Sequence, residues 1–136
     1  MNLIKTFEKA YTKKLERGWE YIYIWIDIHE TILYPTYKKN SEYIYYPYAK
    51  EVLQYLSIRP EIKLGLYTCS KKDEIKEYIK FFKSNYIIFE FANKNTDCEE
   101  TEYGDFTEKP YYNVLIEDKS GFEPDKDWEV LLNYLK

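Results

Sequence analysis

Leu3, Ile4, Phe7, Tyr11 and Leu15 recur at three- and four-residue intervals with Lys and Glu between them, which predicts an amphipathic helix over about Leu3–Arg17. Gly18 stands where such a helix would stop. The run from Tyr21 to Ile26 is β-branched or aromatic at every position and has no polar face. That pattern predicts a central strand covered on both sides, ending at Asp27. From Tyr34 to Tyr48 aromatic and polar residues alternate around Lys38-Lys-Asn-Ser41, between Pro35 and Pro47, as in a short hairpin or flap. Ala49–Leu56 is helical in period, and Ile62–Tyr67 reads as a second apolar strand. Lys71–Lys83 places Ile75, Tyr78, Ile79 and Phe82 on one helical face, and Tyr86–Ala92 reads as a third strand. The polar stretch Asn93–Pro110 lacks periodicity and reads as loop; Val114–Ile116 is a fourth strand and Trp128–Leu135 a closing helix.

Alternating strands and helices predict an α/β fold: a Rossmann-like parallel sheet with helices on both faces, in one domain spanning residues 1–136. In such sheets ligands collect beyond the carboxyl ends of the strands. Asp27, Thr68 and the pair Glu117–Asp118 each follow an apolar run. Any one of them alone fits an ordinary strand-to-turn transition. Together with a lysine they supply a carboxylate nucleophile, a hydroxyl for a phosphate oxygen, a neutralising cation and acids for Mg²⁺.

Composition narrows the classes. The chain is 45% hydrophobic, enough to fold without help, and its net charge of −4 is spread without a long single-sign run. Nucleic-acid binding is therefore unsupported by charge, and no stretch approaches the roughly 20 apolar residues of a membrane span. Cys69 and Cys98 have no metal-ligand spacing and make no disulfide framework, so a reducing, cytoplasmic setting is expected. The 17 tyrosines accompany many Lys, Ile and Asn, as an AT-rich genome would produce, and so do not by themselves signal a binding surface.

The segment Ile24-Trp-Ile-Asp-Ile-His-Glu-Thr-Ile-Leu33 resembles the first motif of the haloacid-dehalogenase-like superfamily, an apolar strand followed by Asp-x-Asp-x-Thr/Val. Leu64-Gly-Leu-Tyr-Thr68-Cys-Ser70 is similar to the second motif, and Lys109-Pro-Tyr-Tyr-Asn-Val-Leu-Ile-Glu-Asp118 to the third and fourth. The resemblance spans about Tyr21 to Asp118. It implies that Asp27 is a nucleophile that becomes an aspartyl-phosphate, with Thr68 and Lys109 on the phosphoryl oxygens and Cys69 and Ser70 beside the substrate. It further implies Mg²⁺ held by Asp27, the backbone carbonyl of His29 and Asp118, with Glu117 near the metal's waters. The alternative for Lys109 is a solvated surface lysine, and Ser70 could take the role of Thr68.

The chain departs from the family at His29, where phosphatases place a second Asp that protonates the leaving oxygen and activates water. Imidazoles give and accept protons near neutral pH, so His29, the single histidine, fits the same role; a structural histidine is the alternative. The insertion after the first motif is only a flap and a helix, so the resemblance is to capless members. These act on phosphorylated small molecules, nucleic-acid ends or phosphoproteins, sometimes with a neighbouring subunit as lid. The expected function is thus a Mg²⁺-dependent phosphohydrolase; its rivals are a non-catalytic phosphate- or partner-binding module and a purely structural or oligomerisation domain.

Overall fold

The computed structural model describes residues 2–35, 43–101, 104–105 and 111–136. Helix α1 (Leu3–Arg17) starts where the Asn2 side chain accepts the Lys5 N–H at 3.0 Å and ends where Gly18 turns left-handed at φ 66°. Strand β1 (Ile22–Ile26) lies inside the sheet between β2 (Ile62–Leu66) and β6 (Val114–Ile116), and β3 (Phe89–Ala92) pairs with the far side of β2. All three pairings are parallel, in the order β3-β2-β1-β6. Helices α2 (Ala49–Ser57) and α3 (Lys72–Ser84) connect these strands, and α4 (Pro124–Leu135) closes the chain. The chain is therefore α/β with a parallel, Rossmann-like sheet and flanking helices, as its alternating pattern predicts. Among the described residues no helix is long and apolar enough to cross a membrane.

Most element ends fall within one residue of the sequence reading, and the larger differences are these. The third strand begins at Phe89 instead of Tyr86, because Tyr86 takes a left-handed φ of 62° in the turn that leaves α3. Helix α4 begins four residues before Trp128, with Pro124 in its first turn and the Asp127 carboxylate accepting the Glu123 N–H at 2.7 Å. Within the stretch read as loop, the short strands β4 (Glu100–Thr101) and β5 (Gly104–Asp105) pair antiparallel. At the base of the flap, Leu33 bridges Tyr45 antiparallel; residues 36–42 lie outside the described residues.

The alternation along β1 divides the core. Ile22, Ile24 and Ile26 join the large cluster with Phe7, Leu53, Phe82 and Trp128 from the four helices. Tyr23 and Trp25 face the other way and cluster with Phe91, and the residues packed on them, Tyr21, Cys98, Tyr111 and Leu115, are not helical. Cover on this side comes in part from the segment after β3: Asn95, fully buried, and the Trp25 indole N–H both donate to the Tyr111 carbonyl at 3.0 Å. Beneath the Trp25 ring lies Gly65, where an added Cβ would stand 2.8 Å from ring carbons. Neither the β2 backbone nor a fully buried indole can yield freely. Gly65→Ala should therefore destabilise the fold by about 1–3 kcal/mol, measured by urea unfolding; an unchanged midpoint would refute the close packing.

Candidate functional site

In chain order the strands run outward from β1 to β3, and the chain then returns to place β6 on the opposite side of β1. The direction of winding reverses between β1 and β6, and such a reversal opens a crevice at the carboxyl edge. Asp27 follows β1 and Glu117–Asp118 follows β6, so the topology delivers all three carboxylates to that crevice. One oxygen from each of Asp27, Glu117 and Asp118 lies within 4.8 Å of the others, and all three side chains are partly buried. Hard carboxylate oxygens converging in this way suit a divalent cation such as Mg²⁺ or Ca²⁺.

Clustering has an electrostatic consequence. The Asp27 carboxyl is pushed up to about 6, first by burial and further by the charges of Asp118 and Glu117, against the lowering effect of the Ile28 backbone N–H.

The loop bearing Asp27 is held from below by a residue to which the sequence reading gave no role. Thr31 is fully buried, and its hydroxyl accepts the Asp118 N–H at 3.2 Å and makes a longer, 3.4 Å contact as donor to Asp27 Oδ2. The Trp128 indole N–H donates to the Thr31 carbonyl at 2.7 Å, tying α4 under the site. Thr31 thus fixes the two acidic loops to each other. Its signal was present as the Thr of the first motif.

Thr68, Cys69 and Ser70 follow β2 and line the same cavity of about 690 Å³ as Asp27, His29 and Asp118. The Thr68 and Ser70 hydroxyls are 2.8 Å apart, and the Ser70 N–H donates to Thr68 Oγ1 at 3.2 Å, so the two form a local turn. A second unforeseen residue shapes it. Asn93, left-handed at φ 58° just after β3, accepts the Thr68 N–H at 2.8 Å and donates to the Thr68 carbonyl at 2.7 Å. An Asn after a strand is a turn signal, yet nothing in the sequence pairs it with Thr68.

His29 sits in the cavity wall and shares a 2.9 Å hydrogen bond between Nε2 and the Tyr78 hydroxyl, whose ring it meets edge-on. Burial, then the neighbouring Tyr43, pushes the Tyr78 hydroxyl up to about 12, so it keeps its proton at neutral pH. Lys109 lies outside the described residues. Among those described, Lys71 and Lys119 are the cations that line the cavity. The structure thus brings Asp27, His29, Thr68, Cys69, Ser70, Glu117 and Asp118 around one cavity.

Neither a protein-family model nor a curated protein sequence matches this chain. Among solved structures it is similar to a conserved protein coded by a locus of Bacteroides thetaiotaomicron, with a TM-score of 0.64 and 22% identity over 85% of this chain and 89% of that one. At that identity the likeness is one of fold.

Proposed function

We propose that this protein is a Mg²⁺-dependent phosphohydrolase of the haloacid-dehalogenase-like type, acting through an aspartyl-phosphate on Asp27. The observation that carries the reading is the meeting of Asp27, Glu117 and Asp118 at the winding reversal, across one cavity from Thr68 and Ser70. In the first step an Asp27 oxygen attacks phosphorus, and the bond to the ester oxygen breaks. His29 gives its proton to that leaving oxygen. Water then attacks the phosphorus of the aspartyl-phosphate and gives a proton back to His29, releasing inorganic phosphate and free Asp27. Thr68, Ser70 and backbone N–H groups around them serve as donors to the phosphoryl oxygens. Mg²⁺ held by Asp27 and Asp118, with Glu117 and the His29 carbonyl beside them, would neutralise phosphoryl charge.

The substrate is a phosphorylated small molecule, nucleic-acid end or phosphoprotein. Two free thiols, Cys69 and Cys98, fit a cytoplasmic setting. A second reading, a phosphate- or partner-binding module without turnover, draws on one contact: His29 is tied to Tyr78, as a structural histidine would be.

Titration with Mg²⁺ separates these readings. Millimolar Mg²⁺ should raise Tm, because it binds the folded carboxylate cluster and not the unfolded chain, and should switch on hydrolysis of an aryl phosphate. A rise in Tm without turnover leaves the binding module. No change in either measurement overturns the metal site.

A further inference from the structure

At the amino-terminal edge of the sheet, away from the carboxylates, α1 and the segment entering β6 enclose a second cavity of about 400 Å³. Its wall carries Lys9, Lys13 and Arg17, spaced four residues apart along one face of α1, together with Trp19 and Tyr112. No acidic residue is among those lining it, and none of the three cations has a carboxylate within ion-pair distance among the described residues. Like charges four residues apart on a helix repel one another. The helix dipole favours Arg17, in the last turn, but offers nothing to Lys9 in the middle of the helix. Among the described residues the repulsion has no paired counter-charge, in a chain whose overall charge is negative.

The aromatic groups narrow the anion. The Arg17 guanidinium lies 5.6 Å over the Trp19 ring, which holds the cation at the cavity wall, while Tyr112 is 43% exposed. Cations that neutralise phosphate, beside aromatic faces on which a base can stack, are the elements of a nucleotide site. The cavity lies at Asn113, before β6, and the carboxylates lie at Glu117, after it. Four residues of extended chain separate them by on the order of 13 Å, so the two sites are distinct.

We propose that Lys9, Lys13, Arg17, Trp19 and Tyr112 form a nucleotide-binding site, taking phosphate on the three cations and the base against the two rings. The ligand is a free nucleotide or one unit of a single-stranded nucleic acid. This site needs neither Asp27 nor Mg²⁺.

Trp19 supplies the readout, because the other two tryptophans, Trp25 and Trp128, are fully buried. ADP and an eight-residue oligothymidylate are titrated separately, with EDTA present, into the wild-type protein, the Asp27→Asn variant, and a Lys9→Ala/Lys13→Ala/Arg17→Ala variant. Alanine favours helix, so the triple variant should fold; its circular dichroism and Tm verify this. Saturable quenching of tryptophan fluorescence is expected in wild type and Asp27→Asn, with at least a tenfold loss of affinity in the triple variant. Tighter binding of ADP identifies a free-nucleotide site, and tighter binding of the oligonucleotide a strand site. With three phosphate contacts, oligonucleotide affinity should fall about 20-fold between about 50 and about 200 mM salt. No quenching by either ligand up to millimolar concentration would overturn the proposal. Equal affinity in the folded triple variant, or loss of binding in Asp27→Asn, would overturn it as well.

Discussion

Asp27→Asn should lower Mg²⁺-dependent hydrolysis of an aryl phosphate on the order of 10⁴-fold or more while leaving the fold intact. Asparagine keeps the shape of the side chain and can still receive the Thr31 hydroxyl, but the amide oxygen is a far weaker nucleophile toward phosphorus than a carboxylate. A comparable rate in this variant would remove Asp27 from the reaction. The same substitution should act on stability in the opposite sense when Mg²⁺ is absent. In the folded protein the Asp27 carboxyl titrates near 6, above its ordinary value of 3.8, so the folded state binds more proton than the unfolded chain between those values. Wild-type stability should therefore fall as pH rises from about 4 to about 6, and the asparagine variant should lack this loss. Above that window, in EDTA, Asp27→Asn should have the higher Tm; with saturating Mg²⁺ the order should reverse.

His29→Ala should reduce turnover by about 10²–10⁴-fold, the usual contribution of a positioned proton donor, and His29→Asp should retain much of it. The ring is held by the Tyr78 hydroxyl through Nε2, so the imidazole enters the cavity wall in a fixed orientation instead of sweeping through it. A site that has lost turnover responds differently. There His29→Ala changes nothing, and His29→Asp, which restores the acid of the family pattern, raises a negligible rate above background. Equal rates for wild type, His29→Ala and His29→Asp would sink both versions and leave a binding module. Comparing the three variants at one Mg²⁺ concentration is sufficient.

The strands of the parallel sheet, the four helices and the positions of the acids were legible in the sequence, whereas the short β4–β5 pair was not. Helix α1 was legible because an amphipathic stripe and a terminal glycine act within the element, and β1 because five adjacent apolar residues tolerate no solvent on either side. Asp27, Thr68 and Asp118 stood out because a parallel sheet places its chemistry just beyond its strands. Local signals failed where partners are distant in the chain. The early start of α4 was readable in Pro124, whereas the bond that Trp128 donates 97 positions back to Thr31 was not. That Thr31 joins the two acidic loops, that Asn93 frames Thr68, and that Tyr78 takes hold of His29 follows from the folded arrangement alone. Gly65 likewise reads as a weak strand residue until the Trp25 ring is seen lying against it. The physical reason is common to these cases. Periodicity and strand ends reflect forces acting along the chain, whereas hydrogen bonds across the crevice and close contacts across the sheet depend on which strands become neighbours, and that is set by the winding of the whole chain.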